Sequence, residues 1–136
     1  NDLGCFGTKV CVTPLFIFVP IVEDKTMAVY MTKAKYSTQA FQGMLAKPSD
    51  REQATRALFD ALGVSIHHLY FEISTGSVIV ISEGTADQMA CLGMVTGASG
   101  AFDSIDATEL ISMNAMSAAM GTAQRIAQAY AAPHKS

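Results

Sequence analysis

From Met27 onward the hydrophobic and polar positions follow two periods in turn. Met27 to Tyr36 alternates as a strand, with Tyr30, Thr32, Ala34 and Tyr36 on one face and Val29, Met31, Lys33 and Lys35 on the other. Ser37 to Leu45 reads as a short helical turn with Phe41, Met44 and Leu45 on its apolar side, and Lys47-Pro48 breaks the chain. Ser49-Asp50-Arg51-Glu52 reads as a capping box in which the Ser49 hydroxyl serves the Glu52 amide. Behind it Ala54, Ala57, Leu58, Ala61 and Leu62 recur at helical spacing, and Gly63 stops the helix.

The middle of the chain is a hairpin. Ser65 to Ile73 and Val78 to Ser82 are strand-like runs joined by Ser74-Thr75-Gly76-Ser77. Regular alternation puts Leu69, Phe71 and Ile73 with His67 on one face, and Ile66, His68, Tyr70 and Glu72 on the other. Thr85-Ala86-Asp87-Gln88 is a second capping signal, ahead of a helix lined by Met89, Leu92 and Val95. Gly93 and Gly97 cost that helix propensity, which suggests close approach to the sheet. A last strand is expected around Ser104 to Ile111. Asn114 then caps a terminal helix whose Met116, Ala119, Met120, Ala123, Ala127 and Tyr130 share a face. Met113, Met116 and Met120 read as core, or alternatively as a soft surface for a partner. The order is β-α-β-β-α-β, an α+β ferredoxin-like sandwich with an additional C-terminal helix.

One feature departs from a simple one-layer sheet. Val78 and Val80 point one way and Ile79 and Ile81 the other, so this strand is apolar on both faces and calls for a second cover. A second copy of the same sheet is the simplest cover, because symmetric homodimers are the commonest oligomers. The expected product is a dimeric α/β barrel. Tyr30, Thr32, Tyr36, His68, Tyr70 and Glu72 are then expected to line the space between the sheets, as a ligand pocket or a dimer interface.

The first part of the chain has a different character. Val10 to Val22 is a dense apolar run interrupted by Pro14 and Pro20, too short to span a bilayer as a helix, which needs about 20 apolar residues. It reads as an extended segment that has to be paired or covered: a strand on its own domain, or an arm reaching a neighbouring subunit. Its contact residues are expected to be Val12, Leu15, Phe16, Ile17, Phe18 and Val19. The chain divides into an apolar arm at 1–26, one domain with its C-terminal helix at 27–131, and a frayed tail at 132–136.

Composition narrows the function classes. Half of the 136 residues are hydrophobic and 15% are charged, which suits one domain with a proper core. A net charge of -3 with scattered Lys and Arg gives no footprint for nucleic acid or an anionic membrane. The three cysteines, Cys5, Cys11 and Cys91, are too few for a disulfide scaffold and show no zinc spacing, although Cys5 and Cys11 can bridge in an oxidising compartment. A reducing cytoplasm is the expected location. The start at Asn1 leaves a processed or exported form open. No cofactor is expected.

Three stretches carry a family resemblance: Tyr30-Met31-Thr32-Lys33-Ala34-Lys35-Tyr36-Ser37, Leu45-Ala46-Lys47-Pro48-Ser49-Asp50-Arg51-Glu52, and the hairpin from Ser65 to Glu83 with its Val-Ile-Val-Ile-Ser-Glu end. Ala98-Ser99-Gly100-Ala101 adds to them. From about Met27 to about Met116 the chain resembles the GYD-domain family, small bacterial and archaeal proteins with a ferredoxin-like fold related to the dimeric α/β-barrel group. The Gly-Tyr-Asp turn that names the family is Thr75-Gly76-Ser77 here, so the acidic residue is missing; as a turn former it is replaceable. The resemblance implies a fold and no common reaction.

The candidate chemistry is correspondingly modest. His67 and His68, as neighbours on a regular strand, point to opposite faces and do not chelate one ion together. His68 with Tyr36, Tyr70 and Glu72 is the better group: an imidazole that exchanges a proton near neutrality, a carboxylate to orient it, and phenols to hold a ligand oxygen. Related barrels, by resemblance, bind small aromatic or oxygenated molecules in such pockets and oxidise some of them without a cofactor. Cys91 reads as a buried, inert thiol. Two functions remain: a homo-oligomeric structural or assembly protein using the arm, or a small-molecule-binding barrel or cofactor-free oxidoreductase using the inter-sheet pocket.

Overall fold

In a computed structural model, which describes residues 26–135, the chain is an α+β domain built on one sheet. Strand β1 (Ala28–Tyr36) is followed by helices α1 (Thr38–Ala46) and α2 (Arg51–Leu62). The hairpin β2 (Ser65–Glu72) and β3 (Ser77–Gly84) comes next, then α3 (Ala86–Ala98), β4 (Phe102–Leu110) and α4 (Met113–Ile126). Two 3-10 turns, Ala127–Ala129 and Pro133–Lys135, end the described chain. The four strands lie in the order β2-β3-β1-β4 with every neighbouring pair antiparallel, an arrangement compatible with the ferredoxin-like fold. The arm residues Val12, Leu15, Phe16, Ile17, Phe18 and Val19, together with Cys5 and Cys11, lie outside the described residues.

Helix α2 starts one residue later than the capping pattern suggests. Asp50, not Ser49, is the N-cap: its Oδ1 accepts from the Gln53 amide at 3.0 Å. Glu52 is thereby released from the cap and pairs along the helix with Arg56, 2.8 Å away. Gly63 ends the helix at φ +76°, a left-handed conformation that glycine adopts at little cost. At α3 the expected reciprocal box forms, with the Gln88 amide donating to Thr85 Oγ1 at 3.2 Å and the Thr85 amide donating to Gln88 Oε1 at 2.9 Å. Gln88 does more than cap. Its Nε2 donates to the Leu62 carbonyl at 2.8 Å, which ties the start of α3 to the end of α2.

The core lies between one sheet face and these two helices. Phe59, Val64, Val80, Met89 and Leu92 are buried together, with Tyr30, Leu58, Leu62, Ile66, Leu69 and Val78 packed around them. Leu58 and Leu62 were legible as the buried side of α2, but its most buried residue is Phe59, at 3% exposure. Gly93 and Gly97 do not approach the sheet: a Cβ built on either meets nothing within 4 Å.

Helix α4 also departs from expectation. Its N-cap is Ser112, whose hydroxyl accepts from the Ala115 amide at 3.0 Å, rather than Asn114. None of its residues is buried, and Met113, Met116 and Met120 are exposed instead of forming core.

The largest correction concerns β2. Ile66 pairs with Ser82 and His68 with Ile81, so the strand holds an extra residue, a bulge, between them. Alternation resets there, and Ile66 and Leu69 both pack on the helix-side core, which regular alternation forbids. His67 does not oppose His68. Its Nε2 lies 3.1 Å from Glu83 Oε1, and Glu83 shares the helix-free face with Ile79 and Ile81.

Candidate functional site

The sheet divides the six residues expected to share one space. Thr32 and Tyr36 are buried on the helix side, and Tyr30 packs on the core cluster there. His68 and Glu72 are on the opposite face, and Tyr70, on the edge strand, stacks with His68 and also lines a cleft that Tyr36 shares. The reason is strand parity: Lys33, not Thr32, is the β1 side chain that meets Glu72, Nζ to Oε1 at 2.9 Å.

On the helix-free face, Val29 and Met31 of β1 and Ile79 and Ile81 of β3 form a half-buried apolar centre. Charges surround it. Lys33 pairs with Glu72, Lys35 lies 3.9 Å from Asp103, and His67 meets Glu83. The His68 and Tyr70 rings stack at 6.2 Å between centroids. Glu72 also accepts from the Thr75 hydroxyl, and Thr75 in turn bonds Ser77 at 2.8 Å. The Thr75 bond, then the Lys33 bond, hold the Glu72 carboxyl below its ordinary pKa, against a smaller opposing effect of burial. Glu72 is thus a fixed anion committed to Lys33 and Thr75, not a partner that orients His68.

The helix side has a different chemistry. Tyr36 sits at the centre of an aromatic group, with Phe102 stacked at 5.1 Å, Phe41 edge-on at 5.5 Å and Phe71 at 6.5 Å. The hairpin turn locks this group. Gly76, at φ +69°, accepts from the Tyr36 amide at 3.1 Å, and a Cβ there would come within 2.9 Å of the Phe41 ring. Beside the group, a cleft of about 510 Å³ opens between α1, α2 and β2, lined by Phe41, Met44, Leu69 and Phe71, with Arg51 among its polar residues. A second cavity, about 220 Å³, lies between the sheet and helices α2 and α3. Arg51 lines both.

Arg51 is the residue that sequence reading passed over. Its signal in the sequence is a place inside the Ser49–Glu52 capping pattern, where Ser49 and Glu52 carry the local structural role. Cys91 is exposed rather than buried. Among the described residues no helix is long and apolar enough to cross a membrane.

The family model of the GYD domain matches residues 30–120, most of the chain and the whole of the sheet from Tyr30 onward. No curated protein and no solved structure matches the chain.

Proposed function

The chain belongs to the GYD-domain family, and we propose that it acts as a homo-oligomeric structural or assembly protein whose unit is a dimer joined through the helix-free sheet faces. The observation that carries this reading is the apolar centre Val29, Met31, Ile79 and Ile81 on a face that no helix among the described residues covers. A wet face of an antiparallel sheet is normally polar, and an apolar one is stabilised by a second layer. A two-fold axis through this centre makes the patch its own partner. It also brings the surrounding Lys33 and Lys35 of one protomer near acidic groups of the other, since Glu72, Glu83 and Asp103 share the rim.

In this reading the apolar arm at 1–26 adds contacts between subunits and builds assemblies larger than the dimer. Native mass spectrometry of the whole chain beside one starting at Met27 tests it. Assemblies that fall to dimers without the arm support the role; equal sizes in both would remove the arm from it.

The small-molecule reading gains support from the helix side instead of the space between sheets. Tyr36 and Tyr70 both line the cleft between α1, α2 and β2, whereas His68 pairs with Ile81 on the other side of the sheet from Tyr36. The cavities reached by Arg51 are where a ligand finds room.

A further inference from the structure

We propose that the cavity between the sheet and helices α2 and α3 binds a small aromatic hydroxy acid, its carboxylate held by Arg51 and its hydroxyl reaching Thr32. Protein interiors pack about as densely as organic crystals, with few voids larger than a water molecule. Here about 220 Å³ is open against Phe59, Val80 and Leu92, three of the most buried residues of the core. The cleft is open to solvent on one side, and an apolar ring entering it gains contacts with these walls and leaves water.

Two polar features set the ligand's chemistry. Thr32 is only 5% exposed, and its hydroxyl has no hydrogen-bond partner. An orphaned buried hydroxyl is destabilising, and Thr32 forms part of the cavity wall, where one rotamer step about Cα–Cβ redirects the group. Ser82, whose hydroxyl also lacks a partner, is not part of that wall. The second feature is Arg51. Lys33, Lys35 and Arg56 are all engaged by carboxylates, but the Arg51 guanidinium has no ion pair among the described residues. Glu52, the nearest acid in sequence, is held by Arg56. Arg51 stands in the first turn of α2, and its guanidinium can hold a carboxylate through two parallel N–H donors. A cation at the rim, an apolar body and a hydroxyl in the wall together describe a ligand with a carboxylate, a ring and a second oxygen.

The site is on the opposite side of the sheet from the proposed dimer face, so either reading can fail without the other. The test is a methyl-NMR titration of the full chain with 4-hydroxybenzoate, benzoate and 4-methylphenol. The expected result is shifts at Leu58, Leu92 and Ile105, with 4-hydroxybenzoate binding at least tenfold more tightly than either of the other two. Arg51→Gln, a surface change that leaves the fold intact by circular dichroism, is expected to weaken both acids tenfold or more and to leave 4-methylphenol unchanged. Thr32→Val is expected to reduce 4-hydroxybenzoate to the affinity of benzoate. The proposal is overturned if no acid shifts those methyls, or if Thr32→Val leaves the preference for the hydroxy acid unchanged, which would assign the Thr32 hydroxyl to an internal water.

Discussion

Lys33 reaches Glu72 across the width of β3, Nζ to Oε1 at 2.9 Å, and so joins β1 to β2 over a strand that separates them. The contact fixes which side of the sheet each strand presents. It places Lys33 and Glu72 on the helix-free face and, by alternation, Thr32 and Ala34 under the helices. The Thr75 bond, together with this same contact, displaces the ionisation of Glu72 downward.

That displacement has a definite pH consequence. The folded-state pKa of Glu72 is lowered, so its contribution to stability is complete above the ordinary value of about 4.3 and disappears as pH falls through the lowered one. Denaturant midpoints of the wild type and of Glu72→Gln are expected to differ at pH 7 and to converge in strong acid. The gap is small, because both partners are partly exposed to solvent.

The bulge in β2 makes an unusual deletion tolerable. Removing His67 takes out the extra residue and leaves Ile66 and Leu69 on the core side, so the fold survives with a loss of no more than about 1 kcal/mol, the scale of its exposed pair with Glu83. Removing Tyr70 from the regular part of the strand instead reverses the faces of Phe71 and Glu72 and destabilises the hairpin strongly. Chemical denaturation of the two deletions checks the contrast.

The cap of α2 separates two neighbouring residues in the same way. Asp50→Ala is expected to cost about 1 kcal/mol through loss of the bond to the Gln53 amide, while Ser49→Ala changes stability little. Equal losses in the two melts would return the cap to Ser49.

These corrections show how far the sequence is legible. Element order, the hairpin and the Thr85–Gln88 box were all readable, because periodicity and capping are local signals. The bulge was not: its only trace is two adjacent histidines, and alternation carried through them assigns Ile66 to the wrong face. A separate matter of parity, in β1, puts Tyr36 on the helix side and Lys33 on the side of His68, and alternation alone does not say which face of β1 the helices cover. Ser49 and Asp50 are both good caps, and the sequence does not choose between them. Arg51 was invisible for a different reason: the cavities that give it meaning form only when α1, α2 and the sheet are packed.

The central claim is that the helix-free face joins two copies of the chain, and Ile81, at the middle of β3 between Met31 and His68, is the position that tests it most directly. Sedimentation velocity of the full chain and of Ile81→Glu, with circular dichroism to confirm that both are folded, is the measurement. The account predicts that the wild type sediments as a dimer or a multiple of it, and that Ile81→Glu loses this association because the interface would bury an unpaired carboxylate. A folded Ile81→Glu with the wild-type sedimentation coefficient, or a wild type that is monomeric throughout, would contradict it.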